Sequence, residues 1–204
     1  MTAMHTPAFF DQVPPIVVHD ALAQTLGAVH DGLIEYRYVD AVKMAGHSCP
    51  TVAGAWMMTR AALARLYPVQ TPRRGELRVE LREAQDEGVA GVIASVASLV
   101  TGAAGSGGFK GLAGRHARRD LLVFGVPLRG EMRFTRLDDG RSVEVSHHME
   151  AVPRPAELRG LMQAALEPRA DGARREAFAQ SWQDWVRAIL VDHADDPGLI
   201  TLED

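Results

Sequence analysis

His47 and Cys49, within AGHSCPTVAGAW (residues 45–56), are the residues of this chain whose types and spacing could do chemistry. Cys49 is the one cysteine, two positions after a histidine and directly before Pro50. Pro50 suits the first position of a helix, and Met57, Ala61 and Leu66 can form its inner stripe until Pro68 stops it. Cys49 is thereby predicted at the helix N-cap, where unpaired backbone N–H groups and the helix dipole favour a thiolate. His47, in the turn before it, can aim its ring at the same point. Sulfur with imidazole suits zinc, iron or copper. On spacing alone, a small buried hydrophobe is an equally good account of a single cysteine.

An ion held by these two groups needs one or two more donors, and histidines are the natural supply. His116 follows a glycine-rich loop that could return it to the helix start. His147 and His148 end a predicted strand, where adjacent side chains point to opposite faces, so only one can look inward. The candidate metal set is His47, Cys49, His116 and His148. His19 sits on the first predicted helix, and His193, in the acidic VDHADD, is read as solvated. Asp40 and Lys43 could orient a ligand, although charges near a strand end are usually just exposed. The loop GAAGSGGFKGLAGR (102–115), with six glycines, is too glycine-rich for regular structure. It could act as an anion nest, its backbone N–H groups and Lys110 cradling a phosphate or carboxylate. It lacks the G-x-x-x-x-G-K-[ST] spacing of a nucleotide loop.

These groups must be positioned by the elements around them. Val18, Leu22, Leu26 and Val29 recur at helical steps, which predicts a helix over 15–30. LIEYRYVDAVKM (33–44) is rich in β-branched and aromatic residues and reads as a strand. ELRVELREA (76–84) alternates Leu77, Val79 and Leu81 with charges, the pattern of a strand with one wet face. A small-residue helix follows, GVAGVIASVASLVTG, able to lie close against the sheet. Strands are predicted at 120–125, 131–137 and 142–149, the last two joined by a hairpin around DDGR. Helices are expected over roughly 156–167 and 173–193. The fold class is α+β: a curved, mixed, mainly antiparallel sheet with helices packed against it, as a core over 1–153 and a C-terminal helical extension over 154–204.

Composition excludes several function classes. The 204 residues are 47% hydrophobic and 24% charged, which is ordinary for a globular chain. Twenty-two basic against 26 acidic residues leave a net charge of −4, too even for an electrostatic footprint on nucleic acid. One cysteine excludes an intramolecular disulfide, and the N-terminus lacks the basic patch and apolar run of a secretory signal, so a cytoplasmic address is expected. The uncharged stretch from Gly88 to Phe109 is mostly Gly, Ala and Ser, with too little Leu, Ile or Phe to favour hydrocarbon, so no membrane partner is expected.

GHSCPTVAGAWMMTRAALARL resembles the signature of the family named for the E subunit of formylmethanofuran dehydrogenase, whose members carry a G-H-x-C-P-x-x-x-x-G-like stretch opening a helix. Gly46, His47, Cys49 and Pro50 match it. The resemblance extends more loosely over roughly 15–150, through GVAGVIASVASLVTGAAGSGGFKGLAGRHARRDLLVFG, which is similar to the family's second block, a helix, a Thr-Gly, a glycine- and lysine-containing loop and a strand; Thr101, Gly102, Gly105 and Lys110 fall in matching places and are the candidate cofactor-binding residues. The chain departs from the pattern twice. Ala103 stands where the family commonly has a cysteine, and a chain with one cysteine has no ligands for the zinc ribbon that ends many members. The resemblance implies a metal-binding domain associated with molybdenum or tungsten redox enzymes, with zinc or another transition ion as cofactor and a homodimer as assembly.

The same residues suit other chemistry. An open metal position or the Cys49 thiolate could act on a small substrate held over the glycine loop. A Cys-Pro pair could present an axial thiolate to haem. The stretch could also be a tight turn in a structural or dimerisation module. Phe178, Trp182, Trp185 and Ile189 share one face of the last helix and could form an interface or cover the core.

Overall fold

The computed structural model describes residues 4–204, so the first three residues of the expected 1–153 core lie outside it. Its centre is helix α3 (Pro50–Leu66), whose residues from Val52 to Thr59 are all buried. A helix that is apolar all round must be covered all round. One side of α3 lies on the main sheet; α4 (Ala90–Thr101) and α2 (Tyr38–Ala45) pack on the others. The small residues of α4, such as Ala90, Ala94 and Ala97, let it approach closely and are themselves buried. Arg136 ends α3 by donating from Nη1 to the Leu66 carbonyl at 3.1 Å, a cation against the negative end of the helix dipole.

The main sheet has five strands in the order β4-β3-β5-β6-β7, with β4 (Leu122–Val123) parallel to β3 (Leu77–Leu81) and the remaining pairs antiparallel. Alternation decides its faces. Val79 lies opposite Phe134 of β5 (Met132–Arg136), which lies opposite Val143 of β6 (Ser142–His147), and all three are fully or nearly fully buried. Each such side chain contributes about 1.5–3 kcal/mol by leaving water. On the other face Arg133 pairs with Glu80 at 2.8 Å. A second sheet is the antiparallel pair β1 (Ile16–His19) and β2 (Leu33–Tyr36). The protein is therefore an α+β fold, as expected, with a C-terminal helix.

Three segments differ from the sequence reading. Residues 15–30 form β1 and the short helix α1 (Ala21–Thr25), because Asp20 caps α1 by accepting from the Leu22 and Ala23 amides at 3.0 Å. The stretch read as one strand over 33–44 is β2 followed by α2: Tyr38, Ala41 and Val42 bury one helical face, and Gly46 closes the helix in the left-handed region at φ 76°. The 154–204 segment holds α5 (Leu158–Ala165) and α6 (Gly172–Arg187), as expected, but it then returns as β7 (Ile200–Glu203), pairing with β6 at the sheet edge. Core and extension thus share one sheet.

Candidate functional site

Cys49 caps α3 in extended backbone, and its Sγ accepts from the Val52 amide at 3.5 Å. Cys49 is 8% exposed and belongs to the edge of the core. The turn before it is held from two sides. The Tyr38 hydroxyl bonds Ser48 Oγ at 3.0 Å, and the Ser48 carbonyl accepts from Trp182 Nε1 at 2.9 Å and Gln183 Nε2 at 3.2 Å. The aromatic face of α6 is thus applied to this turn: Trp182 packs against Phe178 and Trp185 and covers the core.

His47 is exposed, and its Nδ1 lies 3.0 Å from the Ala45 carbonyl. In a neutral imidazole that contact puts the proton on Nδ1, leaving the Nε2 lone pair free. His47 lines a recess of about 410 Å³ with Met44, Gln85, Val89 and Val92. His147 repeats the arrangement: its Nδ1 lies 2.8 Å from Glu131 Oε1, so Nε2 is again the free nitrogen. Its ring fills the space beside Gly54, where a Cβ would come within 2.3 Å of the ring carbon Cδ2. Burial lowers the His147 pKa, but the hydrogen bond and charge of Glu131 outweigh it and leave the pKa above the ordinary 6.5. His147 lines a cavity of about 100 Å³ with Leu81, Ile93, Glu131 and Met132. Val89, the N-cap of α4, lines both this cavity and the His47 recess, which therefore adjoin.

The other two expected ligands lie elsewhere. His148 points away from His147, as neighbours on a strand must, and its Nε2 bonds Thr201 Oγ1 of β7 at 3.1 Å. His116 lies in the loop after the glycines, with Arg74, Gly75 and Arg118, at the far end of α4. Twelve residues of helix separate the two ends by about 18 Å. Among the described residues, no three His, Cys, Asp or Glu side chains form a group that could hold an ion as they stand. His19 faces Gln24 and His193 pairs with Asp196, both locally.

The glycine loop is closed on itself. Thr101 is buried, donating to the Ala97 carbonyl at 2.7 Å and accepting from the Ala103 amide at 3.2 Å. Gly102 caps α4 at φ 72° and touches Arg118, whose Nη1 would lie 2.2 Å from a Cβ there. The Gly105 carbonyl accepts from the Gly108 and Asp120 amides. Lys110 is exposed. The positive charge at this end of α4 is carried by two arginines, Arg74 and Arg118, that the sequence did not single out. Buried Asp20 takes Arg118 Nη2 at 2.6 Å and Arg74 Nη1 at 2.9 Å, while Arg74 also donates to the Leu99 carbonyl. Burial would raise the Asp20 carboxyl, but Arg118, the Ala23 amide and Arg74 hold it down at about 2. The segments involved, 20, 74 and 118, are too far apart in sequence for spacing to reveal the cluster.

Glu131 and Gly54 also escaped the sequence reading, although a signal for His147 was present. Val143 and Val145 bury one face of β6, and His147 continues that parity. No helix among the described residues is long and apolar enough to cross a membrane. Set against known proteins, the chain matches no family model and no curated sequence at a significant level.

Proposed function

We propose that the protein binds a transition-metal ion, zinc first among candidates, at the start of α3, and serves as an accessory or sensor domain in redox metabolism. Cys49 would supply the thiolate, with His47 and His147 as the imidazoles available to it. The observation that carries this reading is the paired histidine geometry: each Nδ1 is fixed by an oxygen, each Nε2 is left free, and both rings line adjoining recesses about Val89. A carbonyl or carboxylate behind a ring is how ligating histidines are oriented. The likeness of Gly46, His47, Cys49 and Pro50 to the formylmethanofuran dehydrogenase E-subunit signature supports the same reading. No three donors converge among the described residues, so the proposed shell would be completed by water or a small ligand. The homodimer and the cytoplasmic address belong to this proposal; a monomeric mass by light scattering would remove the former.

Thiolate catalysis and haem ligation both need the sulfur to be approached by a bulky partner, and an 8% exposed Cys49 favours a bare ion instead. Cobalt substitution tests the reading. Untagged protein loaded with Co²⁺ is expected to show a near-ultraviolet sulfur-to-metal band that Cys49→Ala abolishes and His147→Ala weakens, with His116→Ala unchanged. Absence of that band, together with metal-free protein by elemental analysis, would overturn it.

A further inference from the structure

At the opposite end of α4 the structure points to a second site, and we infer that the recess lined by Arg118 binds a small oxyanion, a carboxylate or a phosphate group. The recess has a volume of about 230 Å³ and is lined by Ala21, Arg74, Gly75, His116, Ala117 and Arg118, with Glu76 and Leu137 at its sides. That is room for a compact ligand with a short apolar portion against Ala21 and Leu137.

Arg118 is the reason to expect an anion. It is 7% exposed, yet of its donors only Nη2 is engaged, by Asp20. Its Nε is fully buried without a hydrogen-bond partner, facing Gly75, where a Cβ would sit 3.1 Å away. Folding rarely leaves a guanidinium N–H unanswered at such depth, and an oxygen admitted beside Gly75, on the wall of the recess, would answer it. The neighbouring arginine does not compete, since Arg74 is committed to Asp20 and to the Leu99 carbonyl.

The charges around the recess agree. Asp20 is shared by Arg74 and Arg118, and Glu76 is paired with Arg73 at 3.3 Å, which leaves one positive charge in excess before His116 is considered. Gly75 and Gly102 bracket the guanidinium from both sides, so its plane is fixed in advance of binding. The anion-binding expected of the glycine loop and Lys110 is thereby moved to the wall behind that loop, where the glycines make room for an arginine.

Calorimetric titration of the full chain with inorganic phosphate and with acetate, at constant ionic strength against chloride, tests this. Saturable one-to-one binding of one oxyanion and not of chloride is expected, and which of the two binds names the class. Arg118→Ala leaves Asp20 half paired and is prone to misfold, so the informative variant is Ala117→Glu, which places a carboxylate in the recess. It should weaken oxyanion binding at least tenfold while leaving the far-ultraviolet dichroism and the Co²⁺ spectrum unchanged. Equal heats from all three salts, or wild-type affinity in Ala117→Glu, would refute the site.

Discussion

The two ends of α4 handle polar groups in opposite ways. At the C-terminal end, Asp20, Arg74 and Arg118 are buried or nearly so and answer one another, and Thr101 and Gly102 are packed shut around them. At the N-terminal end, His47 and His147 each use Nδ1 in a contact within the protein and have no protein partner at Nε2 among the described residues. The first arrangement stabilises the fold by satisfying charge within it, with the buried Arg118 Nε left without a partner; the second fixes the orientation of two imidazoles. A glycine-rich loop looks functional in sequence because its backbone is free, yet here that freedom lets a guanidinium approach Gly102.

The sharpest way to break the contrast is Asp20→Ala. It strips two arginines of their common anion, and breaking such a buried arrangement costs about 3–5 kcal/mol. Urea denaturation should show a loss of that order or an unfolded chain. In the native protein the same carboxylate stabilises above its ordinary pKa of 3.8, and that contribution should fade as pH falls from there toward about 2.

At the other end, Gly54→Val should drive the His147 ring out of its place, costing about 1–3 kcal/mol of stability. It should also weaken Co²⁺ binding, which a purely structural glycine would not do. A smaller effect concerns pH. Because the folded-state pKa of His147 is raised, its contribution is fully present below the ordinary 6.5 and is lost as pH rises through the folded value. Denaturation midpoints followed upward from pH 6.5 should therefore decline in the native protein and lose that component in His147→Gln. The least effect is expected from Lys110→Ala: an exposed side chain on a closed loop should change stability by less than about 0.5 kcal/mol and leave oxyanion titration at Arg118 intact.

Much of the scaffold was legible because its signals are local. Pro50 after Cys49, with the apolar run behind them, marked α3 and its cap, and the alternation of Leu77, Val79 and Leu81 marked β3. Short elements were not legible. β1 and β2 have four residues each, too few to declare a period, and α2 announces itself through burial of Tyr38, Ala41 and Val42, which requires a partner surface. β7 exists because β6 offers it an edge.

The candidate site divides along the same line. The chain alone determined that a lone thiol would sit on helix amides two residues after an imidazole, since a turn and a cap depend on neighbours in sequence. Whether His116, His147 or His148 joins it depends on where a loop, a strand register and a helix end meet in space. Strand parity turns His147 toward Gly54 and His148 toward Thr201, and the length of α4 carries His116 to the other end. Contacts between residues far apart in sequence come from packing, and only the folded chain could choose among them.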